Sequence, residues 1–120
     1  MKPKIADTSF GSIKVGKHVF EHDIIIRLDG RVEKRKKKLS KSIFGTSHTL
    51  SFDEIKYVYE PGAEGLIIGT GQLGMVKLSE EASGYLQEQG CPVTLLPTPQ
   101  AAEAWNAAQG ALIGLFHITC

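Results

Sequence analysis

The sequence predicts an α/β domain with a mixed sheet, and three observations carry that prediction. Short β-branched runs separated by turn signals fill the first third of the chain. Near the middle a continuous apolar run, Leu66-Ile67-Ile68, empties into a glycine loop. From there to residue 118 the pattern alternates strand, helix, strand, helix, strand, an order that implies parallel strands joined by right-handed crossovers. At 120 residues the chain is expected to be a single domain spanning 1–120, long enough for a core and too short for two.

The first strand is expected over Ser9-Phe10-Gly11-Ser12-Ile13-Lys14-Val15, where apolar and polar residues alternate as in a half-buried strand. Gly16-Lys17 supplies a two-residue turn. Residues 18–27 begin mixed and end in Ile24-Ile25-Ile26, so the far half of this second strand is expected to be buried on both faces. Asp29-Gly30 is a hairpin signal, since a type I′ turn needs positive φ at both central positions. A third strand starts at Arg31-Val32-Glu33 and runs into Lys34-Arg35-Lys36-Lys37-Lys38, a run expected to stay in water. Such a run is either an anion or nucleic-acid contact or an edge strand whose lysines block edge-to-edge pairing. No aromatics interleave with the lysines to stack on bases, and the net charge is only +1, so the edge strand is favoured and no nucleic-acid partner is expected.

Leu39 to Thr49, rich in Ser and Thr, reads as the least ordered connection. Ser51-Phe52-Asp53-Glu54 fits a capping box with Ser51 as N-cap and Glu54 at N3. Ile55, Val58 and Tyr59 give the helix its apolar stripe, and Pro61-Gly62 stops it. Leu66-Ile67-Ile68 reads as a central parallel strand and Met75 to Leu78 as a short extended piece. Ser79 caps a helix running to Gln89, with Glu80 and Glu81 in its first turn and Gly90 just past its end. Val93-Thr94-Leu95-Leu96 is the next strand. Thr98 is expected to cap a helix over Gln100–Gln109 with Pro99 at its first position. Ala101, Ala104, Trp105 and Ala108 form its apolar side, and Leu112 to Ile118 is a last buried strand.

Residues 69–74 also spell G-x-G-x-x-G. In a dinucleotide fold that loop opens directly into a helix whose N-terminus holds the pyrophosphate, and an acid about twenty residues on binds the ribose. Here Met75 to Leu78 intervenes, and the following strand ends in Leu96-Pro97-Thr98 without an acid. A tight turn is therefore expected in place of a phosphate cradle, although a loop at a strand's carboxyl end can still wall a crevice. His117 and Cys120 offer two metal ligands where a site needs three or four, and His18, His22 and His48 are remote in sequence, so no metal is expected. Trp105 is expected in the core, and Asn106 beside it is expected to clamp the Thr98 turn or the 69–71 loop. No Ser/His/Asp set, functional carboxylate pair or Walker lysine is present, which weighs against an enzyme, and no cofactor is expected. No apolar run approaches the ~20 residues of a membrane span. The first residues lack the apolar core of a signal peptide, and two distant cysteines point to reduced thiols in a cytoplasm.

Several short signatures stand in a telling order: Ser9-Phe10-Gly11, Asp23-Ile24-Ile25-Ile26 with Asp29-Gly30, Ile68-Gly69-Thr70-Gly71, Thr98 with Ala101 and Asn106, and Phe116-His117-Ile118-Thr119-Cys120. Over about residues 8–120 the chain resembles the small domain shared by mitochondrial respiratory complex I assembly factor three, adipogenesis-associated domain proteins and uncharacterised bacterial and archaeal proteins. The resemblance implies a three-layer α/β domain: a mixed central sheet, helices packed on it, and an added N-terminal antiparallel hairpin. It differs in Trp105, where relatives often carry a smaller aromatic, in the more basic Lys34–Lys38, and in having no mitochondrial presequence. The implied function is a non-catalytic binding or assembly-accessory domain with a protein partner. The alternative is a small-ligand or anion-binding domain, or a cryptic enzyme, using the Gly69–Gly74 loop. The candidate cleft residues carried over are Gly69, Thr70, Gly71, Thr98, Asn106 and His117.

Overall fold

A computed structural model of the chain describes residues 2–120. Its elements follow the order β1 (Ile5–Ser9), β2 (Ser12–Val15), β3 (His18–Phe20), β4 (Ile24–Ile26), β5 (Val32–Lys34), α1 (Lys38–Phe44), β6 (Thr49–Leu50), α2 (Phe52–Val58), β7 (Gly65–Thr70), β8 (Lys77–Leu78), α3 (Glu80–Glu88), β9 (Val93–Leu96), α4 (Thr98–Ala107) and β10 (Leu112–His117). The main sheet has the order β5-β4-β10-β7-β9. In it β10, β7 and β9 are parallel, while β4 and β5 are antiparallel to their neighbours. The sheet is mixed, as the sequence predicts. β1, β2 and β3 form a separate antiparallel sheet, and β6 pairs with β8 in a short parallel ladder.

Period-two alternation along the main strands divides the core in two. Ile25, Leu66, Ile68, Ile113 and Leu115 face Ile55 and Val58 of α2 and Ala82 and Leu86 of α3. Ile24, Ile26, Ile67 and Phe116 face the other way, against Ile13 and Val15 of the N-terminal sheet and Ala101, Ala102 and Trp105 of α4. Three layers result. A one-residue slip of β4 would bring Asp23 or Arg27 into a place now filled by an isoleucine, since both faces of the strand are buried. Each buried Ile or Leu contributes about 1.5–3 kcal/mol, so the register is strongly specified.

In its secondary structure and burial the chain departs from the sequence reading in five places. Residues 9–15 are not one strand, because Phe10-Gly11 turns between β1 and β2 with Gly11 at φ +88°. Residues 18–27 break at Glu21-His22-Asp23 into strands of two different sheets, since Asp23 is drawn into the interior by Arg35 and Ile118. The stretch from Leu39 is ordered. It contains α1, ended by Gly45 at φ +71°, and Ser40 docks that helix on Ser51 and Glu54. Thr98 is the first residue of α4 and not its cap, with Pro97 before it, and the helix closes at Ala107. Arg35, in the run expected to stay in water, is buried. The remaining lysines behave as an edge strand's should: β5 lies at the sheet margin, and Lys34, Lys36, Lys37 and Lys38 are exposed.

The Trp105 and Phe116 rings meet edge to face with centroids 5.9 Å apart, and the Trp105 indole N–H donates to the Pro3 carbonyl at 2.8 Å. That contact needs Gly114 beneath it. A Cβ there would come 2.5 Å from Phe116 Cε2 and 3.0 Å from Trp105 Cζ3. Gly114→Ala is expected to cost about 1–3 kcal/mol by overpacking, read as a lower urea midpoint with unchanged slope. An unchanged midpoint would show that the layer accommodates a methyl group.

Candidate functional site

From β7 the chain passes through α3 to β9 on one side, then returns through α4 to β10 on the other. α3 and α4 thus leave the adjacent strands β7 and β9 toward opposite faces of the sheet, and the winding reverses at β7, whose other neighbour is β10. In open α/β sheets, ligands bind outside the carboxyl ends of the strands at such a reversal. Thr70 and His117, paired in register, stand at the ends of β7 and β10 at this place.

Thr98 ties the two strand ends together. Its hydroxyl accepts from the Gly71 N–H at 2.9 Å and donates to the His117 carbonyl at 2.5 Å, while its own N–H donates to the Gly71 carbonyl at 2.9 Å. That use explains why its side chain does not cap α4. Gly69 makes room for it, since a Cβ there would lie 2.9 Å from Thr98 Oγ1 and 2.8 Å from the Phe116 ring. Gly71, at φ +103°, lies against the last residues of the chain: a Cβ would come 2.6 Å from the Cys120 backbone and 2.9 Å from His117 Cδ2. Beyond it, the Gln72 N–H donates to the Thr119 carbonyl at 2.7 Å and the Met75 N–H to the Cys120 carbonyl at 3.1 Å. Gly74 and Val76 donate back to Gly71 and Thr70 at 3.2 and 3.0 Å. The glycine loop is a clasp on segment 118–120, and its Gly71, Gln72 and Gly74 amides donate within the protein.

Five of the six sequence-derived candidates therefore converge: Gly69, Thr70, Gly71, Thr98 and His117. Asn106 does not join them. Its side chain accepts from the Ile5 N–H at 2.9 Å and donates to the Ile5 carbonyl at 2.8 Å. It clamps β1 onto α4, and not the Thr98 turn or the 69–71 loop, because the N-terminal sheet covers that helix.

Behind His117 lies a network of buried charges that the sequence reading missed. His117 Nδ1 lies 2.7 Å from Asp23 Oδ2. The other Asp23 oxygen accepts from the Ile118 N–H at 2.9 Å. Arg35 donates to Asp23 at 2.9 Å, to the Ser47 carbonyl at 2.8 Å, and to both Glu54 oxygens at 2.6 and 3.1 Å. Ser40 donates its hydroxyl to Glu54 as well. Burial disfavours the Asp23 carboxylate, but the bonds from His117, Ile118 and Arg35 outweigh it and hold its pKa down at about 2. Arg35 is likewise disfavoured by burial and raised overall by Glu54 and Asp23. A cleft of about 180 Å³ opens beside the network, edged by Glu21, His22, Lys34 and Lys37 with Ile118 and Thr119. The available signals were Asp23 directly before the isoleucine run and Glu54 within a helix stripe at Ile55, each an acid at the margin of apolar residues.

The segment also brings His48 to His117 and Cys120. The two imidazole rings meet edge to face at 5.4 Å, and one ligand atom from each of the three residues lies within 4.8 Å of the others. No local signal marks His48, whose place depends on the β6–β8 pairing. Chemically, the region offers an oriented imidazole, a half-exposed thiol and a second imidazole. Among these features the charge network is the structural keystone. Arg35→Met leaves Asp23 and Glu54 buried without a counter-charge and is expected to cost about 3–5 kcal/mol. Lys36→Met and Lys38→Met, in the same run, are expected to stay within about 0.5 kcal/mol of the parent. Urea unfolding of the three variants checks this, and equal effects would reject it.

The described residues contain no helix long and apolar enough to cross a membrane. Residues 5–111 match the family described as protein of unknown function (DUF498/DUF598). The structure is similar to the conserved hypothetical protein PH1505 from Pyrococcus horikoshii OT3, at 32% identity over 98% of this chain and 99% of that one, with a TM-score of 0.91. It is also similar to the protein MT938, at 28% identity over 99% and 100% of the two chains and a TM-score of 0.83. A Mth938-like domain protein of Bordetella pertussis shares the fold at 20% identity over 97% of this chain and 85% of that one, with a TM-score of 0.63. On its sequence and on its three-layer fold, the chain belongs to the DUF498/DUF598 family.

Proposed function

We propose that the chain is a non-catalytic binding or assembly-accessory domain of the cytoplasm, and that its partner is a protein. The observation that carries this reading is an apolar rim on the loops that hold segment 118–120. Phe10 precedes Gly11, whose N–H donates to the Ile118 carbonyl at 2.7 Å. Leu73 and Met75 lie in the loop bonded to Thr119 and Cys120. These side chains are 66%, 72% and 55% exposed. Large apolar groups gathered around one segment have the make-up of a contact core. The neighbouring cleft is edged by Lys34 and Lys37, which suits a partner combining an apolar anchor with acidic residues.

A small-ligand or anion-binding domain built on Gly69–Gly74 has less support, because the Gly71, Gln72 and Gly74 amides already donate within the protein. A cryptic enzyme centred on His117 has little support either: the residue is buried, and both ring nitrogens have partners. Capture of partner by immobilised protein, compared across surface variants, tests the reading. Phe10→Asp and Leu73→Asp are expected to weaken capture by about tenfold or more, the ~1.4 kcal/mol that a modest interface residue supplies. Val19→Asp, equally exposed on β3, should retain it, and full capture by folded Leu73→Asp would overturn the proposal.

A further inference from the structure

We propose that His48, His117 and Cys120 bind a borderline-soft divalent cation, with Zn²⁺ the best fit. The donors come from three separate parts of the chain: the connection between α1 and β6, the end of β10, and the clasped segment after it. One ligand atom of each lies within 4.8 Å of the others, and His48 Nε2 is 3.7 Å from Cys120 Sγ. Tetrahedral zinc bound at about 2.0–2.1 Å by nitrogen and about 2.3 Å by sulfur sets its ligands roughly 3.3–3.6 Å apart. Closing onto the ion therefore requires side-chain movements of about an ångström and no change of fold. Two imidazoles and a thiolate suit zinc or its neighbours and not the oxygen-seeking Ca²⁺ or Mg²⁺.

The surroundings are built as metal sites are. A ligating histidine commonly gives its second ring nitrogen to a carboxylate, which fixes the tautomer and the ring plane. Asp23 stands in that position, 2.7 Å from His117 Nδ1, and is itself held by Arg35 and the Ile118 N–H. This leaves His117 Nε2 as the coordinating atom, and the ion takes the place of the Thr119 hydroxyl that meets it at 3.1 Å. Gly71 keeps the neighbouring edge of the ring free of a side chain, since its absent Cβ would sit 2.9 Å from His117 Cδ2. His48 and Cys120 are each half-buried, so an ion reaches them from solvent. Three protein donors leave a fourth tetrahedral position for water or for a donor from a partner.

Titration of the purified, tag-free chain with Co²⁺ as an optical probe, followed by Zn²⁺ competition, tests the site. The expected result is one Co²⁺ per chain, with a thiolate-to-cobalt charge-transfer band that Zn²⁺ displaces. Cys120→Ser should abolish the band, and His48→Gln should weaken binding about tenfold or more. Cys91→Ser, which alters the other thiol in the α3-side core, should change neither. Circular dichroism of each variant separates a lost ligand from a lost fold, and the two ligand variants give independent readings. Absence of one-to-one uptake, or a band that survives in folded Cys120→Ser, would overturn the proposal.

Discussion

The guanidinium of Arg35, enclosed between the carboxylates of Asp23 and Glu54, is the constraint on which the rest of this molecule depends. Removing each ion from water costs several kcal/mol, and the cost is offset only where geometry is good and the remaining lone pairs are satisfied. Both conditions hold: the Glu54 pair is two-pronged, Ser40 serves the same carboxylate, and the Ser47 carbonyl takes a further Arg35 N–H. Meeting those conditions sets the position of nearly everything at that end of the sheet. The arginine directly follows β5, α2 supplies the glutamate in its first turn, α1 docks through Ser40, and Asp23 reaches across to His117 and the Ile118 N–H. Elements far apart in the chain are brought together by one set of directional bonds. Apolar residues of the same volume would satisfy burial but not this orientation.

The clasp at the carboxyl ends of β7 and β10 is the counterpart of that network on the other side of His117. Other α/β folds leave the reversal of winding open for a ligand. Here Thr98 closes it from below and segment 118–120 lies along it, held by the Gln72 and Met75 amides. The glycines at 69 and 71 serve close approach of backbone and rings, which is why a nucleotide-like spacing appears without nucleotide-like geometry.

The architecture is legible in the sequence because most of its signals are local. Ser51 and Ser79 do accept from the N–H groups of Glu54 and Ala82, and the isoleucine run and the α3 helix ahead of Gly90 fall where periodicity puts them. What fails is long-range. The capping-box reading assigns Ser51 its correct role, but the Glu54 side chain turns to Arg35, and the Ser51 N–H is taken by Ser40 instead. Composition labels Lys34–Lys38 as solvated, and four of its members are, yet charge density cannot reveal the one residue whose acids lie elsewhere in the chain. His48 is invisible for the same reason, and Asn106 is a clamp as expected but on a different partner.

The position of β10 has a consequence for synthesis. The tenth strand lies third in a five-stranded sheet, between β4 on one side and β7 on the other. Until residues 112–117 have left the ribosome, the antiparallel pair β4–β5 and the parallel pair β7–β9 have no common neighbour. Each then shows an open edge, and their apolar faces have no shared layer to cover them. Such a chain gains little by folding before β10 emerges, and its slow, non-local pairings wait for that strand. The lysines at the end of β5 and just beyond it are well placed to keep the waiting halves from pairing with other chains in that interval.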